Sequence, residues 1–409
     1  MLNKDNIREL AYVVKIDEIL PIEGADRVEQ AVVGGWHIMT KKGQFKPGDA
    51  AIYFEIDSKV PETEPFEFLA AKHYKVKTQK YFKGTVISQG LLMGAEDFGW
   101  SVLCKEGSTD QIIVDDEGNW HSPNDESRFL TQKLGVKYAV DEDNVRKANS
   151  ADKYKKMAQR HGKLFAKKPI RWLMKRSWGR KLLFVFFGKK KDKKNGWPAW
   201  VQKTDEERVQ NMPWILKDKS EWIATEKVDG TSTTFSLKRG KGIKKNEFYI
   251  CSRNVVFDKP DKNCYYDTNV YVEMAEKYHM EEVLTKLLEK FPCAEWVTIQ
   301  GETYGAGIQK RDYSMKDHDF KAFNLIFSHT GRYDSITMRN VLEKEFNIPC
   351  VPIICEHFVL PNTVDELLNY VTGKSVIDGG MREGIVFRSK DGSKSFKAVS
   401  NEFLLKYHS

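Results

Sequence analysis

One lysine and three carboxylates late in the chain have the types and spacing for covalent chemistry. EKVDG puts Lys227 at the end of a short apolar run, two residues before Asp229; GETYG supplies Glu302 and REGIVFR supplies Glu383. A lysine is a nucleophile only as the free amine. With an ordinary pKa near 10.4, about one in a thousand is free at neutral pH, a deficit of about 4 kcal/mol. A nearby divalent cation would disfavour the proton, and Glu302, Glu383 and Asp229 are the carboxylates available to hold it or its water. K-x-D-G alone arises by chance in about one chain in ten of this length, so the weight falls on the residues downstream of it.

The elements that must position these groups are short strands. TSTTFSL, the turn KRGKGIKKN and EFYICSR form a hairpin that returns Arg253 to the start of its first strand, and so toward Lys227. AEWVTIQ leads to Glu302, FKAFNLIF carries Phe323, and REGIVFR and KSFKAVS carry Glu383 and Lys397 on either side of the tight turn KDGSK. Antiparallel pairing about that turn sets Lys397 opposite about Val386. TDEERVQN reads as a helix start, with Thr204 as N-cap and Glu207 closing a capping box. Residues 270–291 read as one helix, with Leu284, Leu287, Leu288 and Phe291 on one face. Together these make an α+β domain over residues 200–409. Singly, each has a bland alternative: Phe323 as a core aromatic beside Leu325 and Phe327, Arg253 as a surface ion pair, Glu383 and Lys397 as solvated strand charges. Five such residue types in order, all reachable from one cleft, depart from chance.

Residues 1–100 alternate short strands (AYVVKIDEIL, RVEQAVV, WHIMTKK, AAIYFEI, GTVISQGLLMG) with turn clusters such as IEGAD and FKPGD, the pattern of a small β-barrel. Residues 101–199 read as an irregular, strongly basic connecting region, with a hairpin around VDDEGNW and a helix near ESRFLTQKLG. Between 151 and 196 there are 17 Lys and Arg against two acids, a charge of +15, so the rest of this +8 chain sums to −7. Aromatics, among them Trp172 and Trp178, are interleaved with this charge. A polynucleotide clamp, a connector packed on the catalytic domain and a basic amphipathic helix on an anionic membrane all fit that composition.

The six cysteines form no CxxC pair and the nine histidines show no ligand spacing, which argues against a zinc site or disulfide framework. The first residues, MLNKDNIREL, contain no apolar secretory core, and no run is long enough to span a bilayer. A cytoplasmic protein without stable membrane association is expected.

The order EKVDG, SRN, GETYG, FKAFNLIF, EGIVFR and SFKAVS resembles the nucleotidyltransferase motif series of ATP-dependent RNA ligases, DNA ligases and capping enzymes, over about residues 200–409. GETYGAGIQK and KTDEERVQN are similar to the RNA ligase branch. The stretch 16–61, with PIEGADRVEQAVVGGW and FKPGDAAIYFEIDSKVP, resembles OB-fold domains of the tRNA-binding kind, and an OB-like domain before the motifs resembles a nick-sealing group of RNA ligases. DNA ligases and capping enzymes carry that domain after the motifs, where this sequence has only a few residues.

The resemblance implies ATP and Mg2+ (or Mn2+) as cofactors, a lysyl-AMP on Lys227, and a monomer acting on RNA or an RNA-containing duplex with a nick. It further implies that Glu302 and Arg253 contact the ribose or strand end, that Phe323 stacks on adenine and that Lys397 holds the α-phosphate. Glu226 would read the adenine amino group and Arg208 reach the outer phosphates. One departure is Val399, where many such ligases place a second lysine; Lys394 is a candidate substitute. The rival functions are a DNA ligase or sugar-indifferent ligase, and a non-catalytic nucleic-acid-binding protein with a degenerate ligase domain.

Overall fold

The computed structural model describes residues 1–104, 107–139, 157–158, 162–187, 197–242, 245–253, 256–257 and 269–407. Parts of the basic segment (151–156, 159–161 and 188–196), and Asn254 of SRN, lie outside them.

The N-terminal strands form two three-stranded sheets. One has the order Ala11–Lys15, Ala50–Phe54, Leu91–Met93, and the other Glu18–Pro21, Val28–Val33, Trp36–Lys41. The central strand AAIYF is buried at every position. Such a continuous apolar run needs cover on both faces, and two cores supply it. Ala51 and Tyr53 join Tyr12, Trp36 and Ile38 on one side; Ala50, Ile52 and Phe54 join Trp100, Ile113, Leu130 and Val136 on the other. Part of the stretch read as a connector therefore packs into this N-terminal unit, and Lys137–Tyr138 pairs with Ser58–Lys59. The VDDEGNW hairpin is present, Gln111–Val114 against Trp120–His121. No helix forms near ESRFLTQKLG beyond the 3-10 turn Glu126–Arg128, N-capped by Asp125, because Phe129 turns extended to bridge Tyr12 and the Leu130 N–H donates to the Ala11 carbonyl.

The C-terminal part holds a six-stranded sheet, in the order Val256–Phe257, Glu247–Cys251, Thr231–Lys238, Trp296–Gly305, His318–Phe327, Gly331–Arg332. A four-stranded sheet has the order Ile353–Val359, Glu221–Lys227, Gly384–Ser389, Ser395–Val399. Helices cover the outer faces: Leu284, Leu287, Met338 and Leu342 pack on the first sheet, and Leu367, Leu368 and Val371 on the second. The inner faces meet across a cleft, and the three residues Val228–Gly230 carry the chain from one sheet to the other.

Two helix expectations change. Residues 270–291 form two helices, Val270–Lys277 and Met280–Lys290, broken where His279 turns left-handed and where Lys277 and Tyr278 bond Asp319. TDEERVQN forms no α-helix. Thr204 bonds Ser232, Asp205 pairs with Arg253, Glu206 accepts from Ser395, and the Glu207 carbonyl accepts from the Lys397 N–H. Of the two side chains a capping box would have used, Thr204 is taken by Ser232 and Glu207 accepts from Asn211. The strand Ile353–Val359 was not anticipated, nor was the helix Val364–Val371, although Thr363 and Glu366 form a capping box there.

Candidate active site

Lys227 ends its strand at the mouth of the cleft. Its register partner is Gly384, next to Glu383, and Nζ lies 2.7 Å from each carboxylate oxygen of Glu383. The following turn is held tightly. A Cβ on Gly230 would sit 2.3 Å from the Thr303 carbonyl, so only glycine lets the turn lie against the strand bearing Glu302. Two loops missed in the sequence clamp it. Gln309 donates to the Gly230 carbonyl at 2.8 Å, and the Asp229 N–H donates to the Tyr313 hydroxyl at 2.7 Å. Arg311 lies over the Tyr313 ring at 3.8 Å and pairs with Asp378 on the second loop.

Lys227, Asp229, Glu302, Glu383, Lys397, Arg253, Glu226 and Phe323 all line one cavity of about 370 Å³, within the range of small-molecule sites. A larger depression of about 570 Å³, beside Phe248 and Val272, holds none of them. Phe323 reaches the cleft through a bulge. Gln300 pairs with Asn324 but Gly301 with Ala322, so Phe323 is the extra residue and escapes the core face of Leu325 and Phe327. Val228, Val351 and Val386 give this part of the cavity apolar walls. Lys397 stands opposite Val386, in the register expected.

Other residues are placed differently from expectation. Both oxygens of Glu226 are engaged, one by the Ser375 hydroxyl at 2.5 Å and the other by the Val376 N–H at 2.8 Å, so it anchors a loop. Arg208 does not line the cavity; its guanidinium lies over Trp36 of the N-terminal unit at 5.7 Å. Lys394 pairs with Asp218 at 2.7 Å, outside the cavity. Val399 is buried with Ile87 and Leu404, tying the two parts of the molecule together where a lysine would face desolvation. The second cation on the Lys397 face is Arg388. It is buried along the cavity, 6.0 Å from the Phe323 ring and 3.4 Å from Glu206, and among the described residues Nε and Nη1 have no hydrogen-bond partner. Strand alternation from Val386 would have found it.

The electrostatics are unbalanced. Burial would lower the Lys227 pKa, but the Glu383 and Glu302 charges outweigh it and hold the side chain as ammonium. Burial and the neighbouring carboxylates push Glu302 up to about 8 and Asp229 up to about 7. Lys397 is pulled down to about 8 by burial and by the Lys227 and Arg208 charges. Among the described residues no three His, Cys, Asp or Glu side chains form a ready metal cage. The crowded carboxylates nevertheless suit a hard cation that brings further oxygen ligands with it.

An RNA ligase family model matches residues 220–408, and an OB-fold domain model matches residues 10–95. Residues 220–408 belong to the RNA ligase family. The whole chain, an OB-fold domain ahead of an α+β ligase domain, is similar to solved structures of the Naegleria gruberi RNA ligase. With pyrophosphate, that ligase matches at 25% identity and a TM-score of 0.61, covering 98% of this chain and 99% of the other. A point variant with ATP and Mn matches at 25% and 0.63, covering 98% and 100%. Another, with AMP and Mn, matches at 25% and 0.63, covering 98% and 99%. Comparison with curated protein sequences gives no match. Among the described residues of this ligase-domain protein, no helix is long and apolar enough to cross a membrane.

Proposed function

We propose that the protein is an ATP-dependent RNA ligase that joins 3′-OH and 5′-phosphate ends at nicks, through AMP carried on Lys227. In the first step Glu383, bonded to the ammonium, takes one proton; Lys227 Nζ then bonds the α-phosphorus of ATP as the bond to pyrophosphate breaks, and the second nitrogen proton leaves with the pyrophosphate or to water. The adenylate then moves to a 5′-phosphate oxygen, restoring the amine. Attack by the 3′-OH on that phosphate expels AMP. Mg2+ or Mn2+, held by Glu302, Glu383 and Asp229 together with phosphate oxygens, would supply the positive charge that disfavours the lysine proton. Phe323 and the valines around it form the wall for the adenine. Lys397 and Arg388 face the phosphates, and Arg253 stands at the rim for the ribose or strand end.

The observation that carries this reading is the Lys227–Glu383 pair in a cavity shared with Glu302, Asp229, Lys397 and Phe323. Incubation with α-labelled ATP and Mg2+ should leave label that stays on the chain through denaturing electrophoresis, survives alkali but not hot acid as a P–N bond does, and is released by pyrophosphate. Absence of label in fully folded protein would favour a degenerate ligase domain. A nick with a ribonucleotide 3′ end should then seal about tenfold or more faster than an all-DNA nick, because a site built around the 2′-OH leaves polar groups unpaired without it. Equal rates would point to a DNA or sugar-indifferent ligase.

A further inference from the structure

The basic segment has a core of its own. Met157, Ala158, Phe165, Met174 and Leu183 are buried together, closed by residues such as Ile170, Leu173 and Phe184. Every described member of this cluster lies within 157–187. The helices Lys168–Met174 and Ser177–Phe187 cross closely at Gly179, where a Cβ would sit 2.2 Å from the Leu173 carbonyl. The far side of the second helix is also apolar. Trp178, Leu182, Val185 and Phe186, at i, i+4, i+7 and i+8, are 54%, 46%, 65% and 72% exposed. Trp172 meets Trp178 edge-on at 6.4 Å, and the Arg176 guanidinium covers its ring at 3.5 Å. A helix apolar on both sides needs an apolar environment on both, and the small core supplies one. Residues 162–187 also contain eight Lys and Arg and no Asp or Glu.

We propose that this helical hairpin seats the protein on an anionic lipid surface, with the Trp178–Phe186 face entering the boundary between headgroups and acyl chains. The charge and the apolar stripe select that occupant together. A second copy of the chain would bring the same eight cations against these. A polynucleotide would meet the cations, but Leu182 and Val185 offer no flat face for a base, and one face of Trp172 already carries Arg176. Anionic lipid satisfies both features: phosphates for the cations, acyl chains for the stripe, and the interface for the tryptophans. Attachment through one such element is reversible. The proposal stands apart from the ligase chemistry.

The test is co-sedimentation of the full chain with phosphatidylcholine vesicles, with and without phosphatidylserine. Binding to the anionic vesicles should exceed that to neutral ones by about tenfold and weaken with salt. Leu182→Glu with Phe186→Glu should lower anionic-vesicle binding about tenfold or more, with affinity for a nicked RNA duplex and its sealing in solution unchanged. A blue shift of indole emission with vesicles, smaller in Trp178→Phe, gives a readout that does not depend on the double variant folding. Failure of the unmodified protein to sediment with anionic vesicles, or absence of the blue shift, overturns the proposal. So does a fall in RNA affinity in the double variant, which assigns the face to polynucleotide, or the conversion of a dimer to a monomer, which assigns it to a second copy.

Discussion

In the N-terminal unit, fully buried Glu55 accepts from Tyr12 at 3.1 Å and from Arg8 at 2.9 Å. Buried Asp115, which burial alone would raise, is held well below the usual carboxylate range by Lys133 and His121. In the ligase cleft three carboxylates crowd Lys227, and Glu302 forms no ion pair among the described residues; burial and the neighbouring carboxylates push its pKa up to about 8. One unit completes its own electrostatics. The other leaves a deficit of positive charge, which suits a site that receives its cation with the substrate.

The strongest way to break this contrast is to remove the amine around which the carboxylates gather. Lys227→Ala should reduce self-adenylation and overall joining by about a thousandfold or more, yet still seal a substrate already carrying a 5′-adenylate, because that step does not need the amine. Covalent AMP on this variant would place the nucleophile elsewhere. Neutralising one acid in each unit sharpens the comparison. Glu302→Gln should lower adenylation about a hundredfold while raising the stability of the ligand-free protein above pH 8 by about 1 kcal/mol, since it removes an unfavourable buried charge. Glu55→Gln should cost about 3 kcal/mol of stability by leaving Arg8 without a counter-charge. Denaturant midpoints and single-turnover adenylation measure both, and a destabilised Glu302→Gln would refute the contrast.

Stability of the ligand-free protein should vary with pH through the same groups. Asp229 and Glu302 bind protons more tightly in the folded state, so from about pH 5 to 7 the unfolded chain holds fewer protons and stability falls as pH rises. Lys397, lowered to about 8, acts in the opposite direction only above that value. The melting temperature without nucleotide should therefore decline over this window, and ATP with Mg2+ should flatten the decline; a flat ligand-free profile would be the contrary result. The smallest effect belongs to the apolar wall. Phe323→Ala should raise the KM for ATP about tenfold with little change in kcat, as expected for uniform binding, and a loss confined to kcat would give Phe323 another role.

Much of the site was legible in strand patterns. Alternation and the KDGSK turn set Lys397 opposite Val386, and the hairpin brought Arg253 to the cavity rim, because strand register follows from a period of two and a short turn. Arg388 lay within reach of the same rule. The cover over AAIYF was signalled by an apolar run too continuous for a one-sided sheet, although its source in residues 100–136 lies too far along the chain for periodicity to find.

What the sequence by itself determined is the set of reactive residue types, their order and, where no bulge intervenes, the face of the strand each occupies, all of which depend on local spacing. The tertiary structure decided which of them act together. The bulge that turns Phe323 into the cleft, the extended path of residues 203–207, the use of Val399 as a seam and of Glu226 as a loop anchor each depend on partners distant in the chain. Protonation was decided there too. A carboxylate's pKa depends on how far it is removed from water and on which charges lie within a few ångströms, and folding fixed both for Glu302 and Lys227.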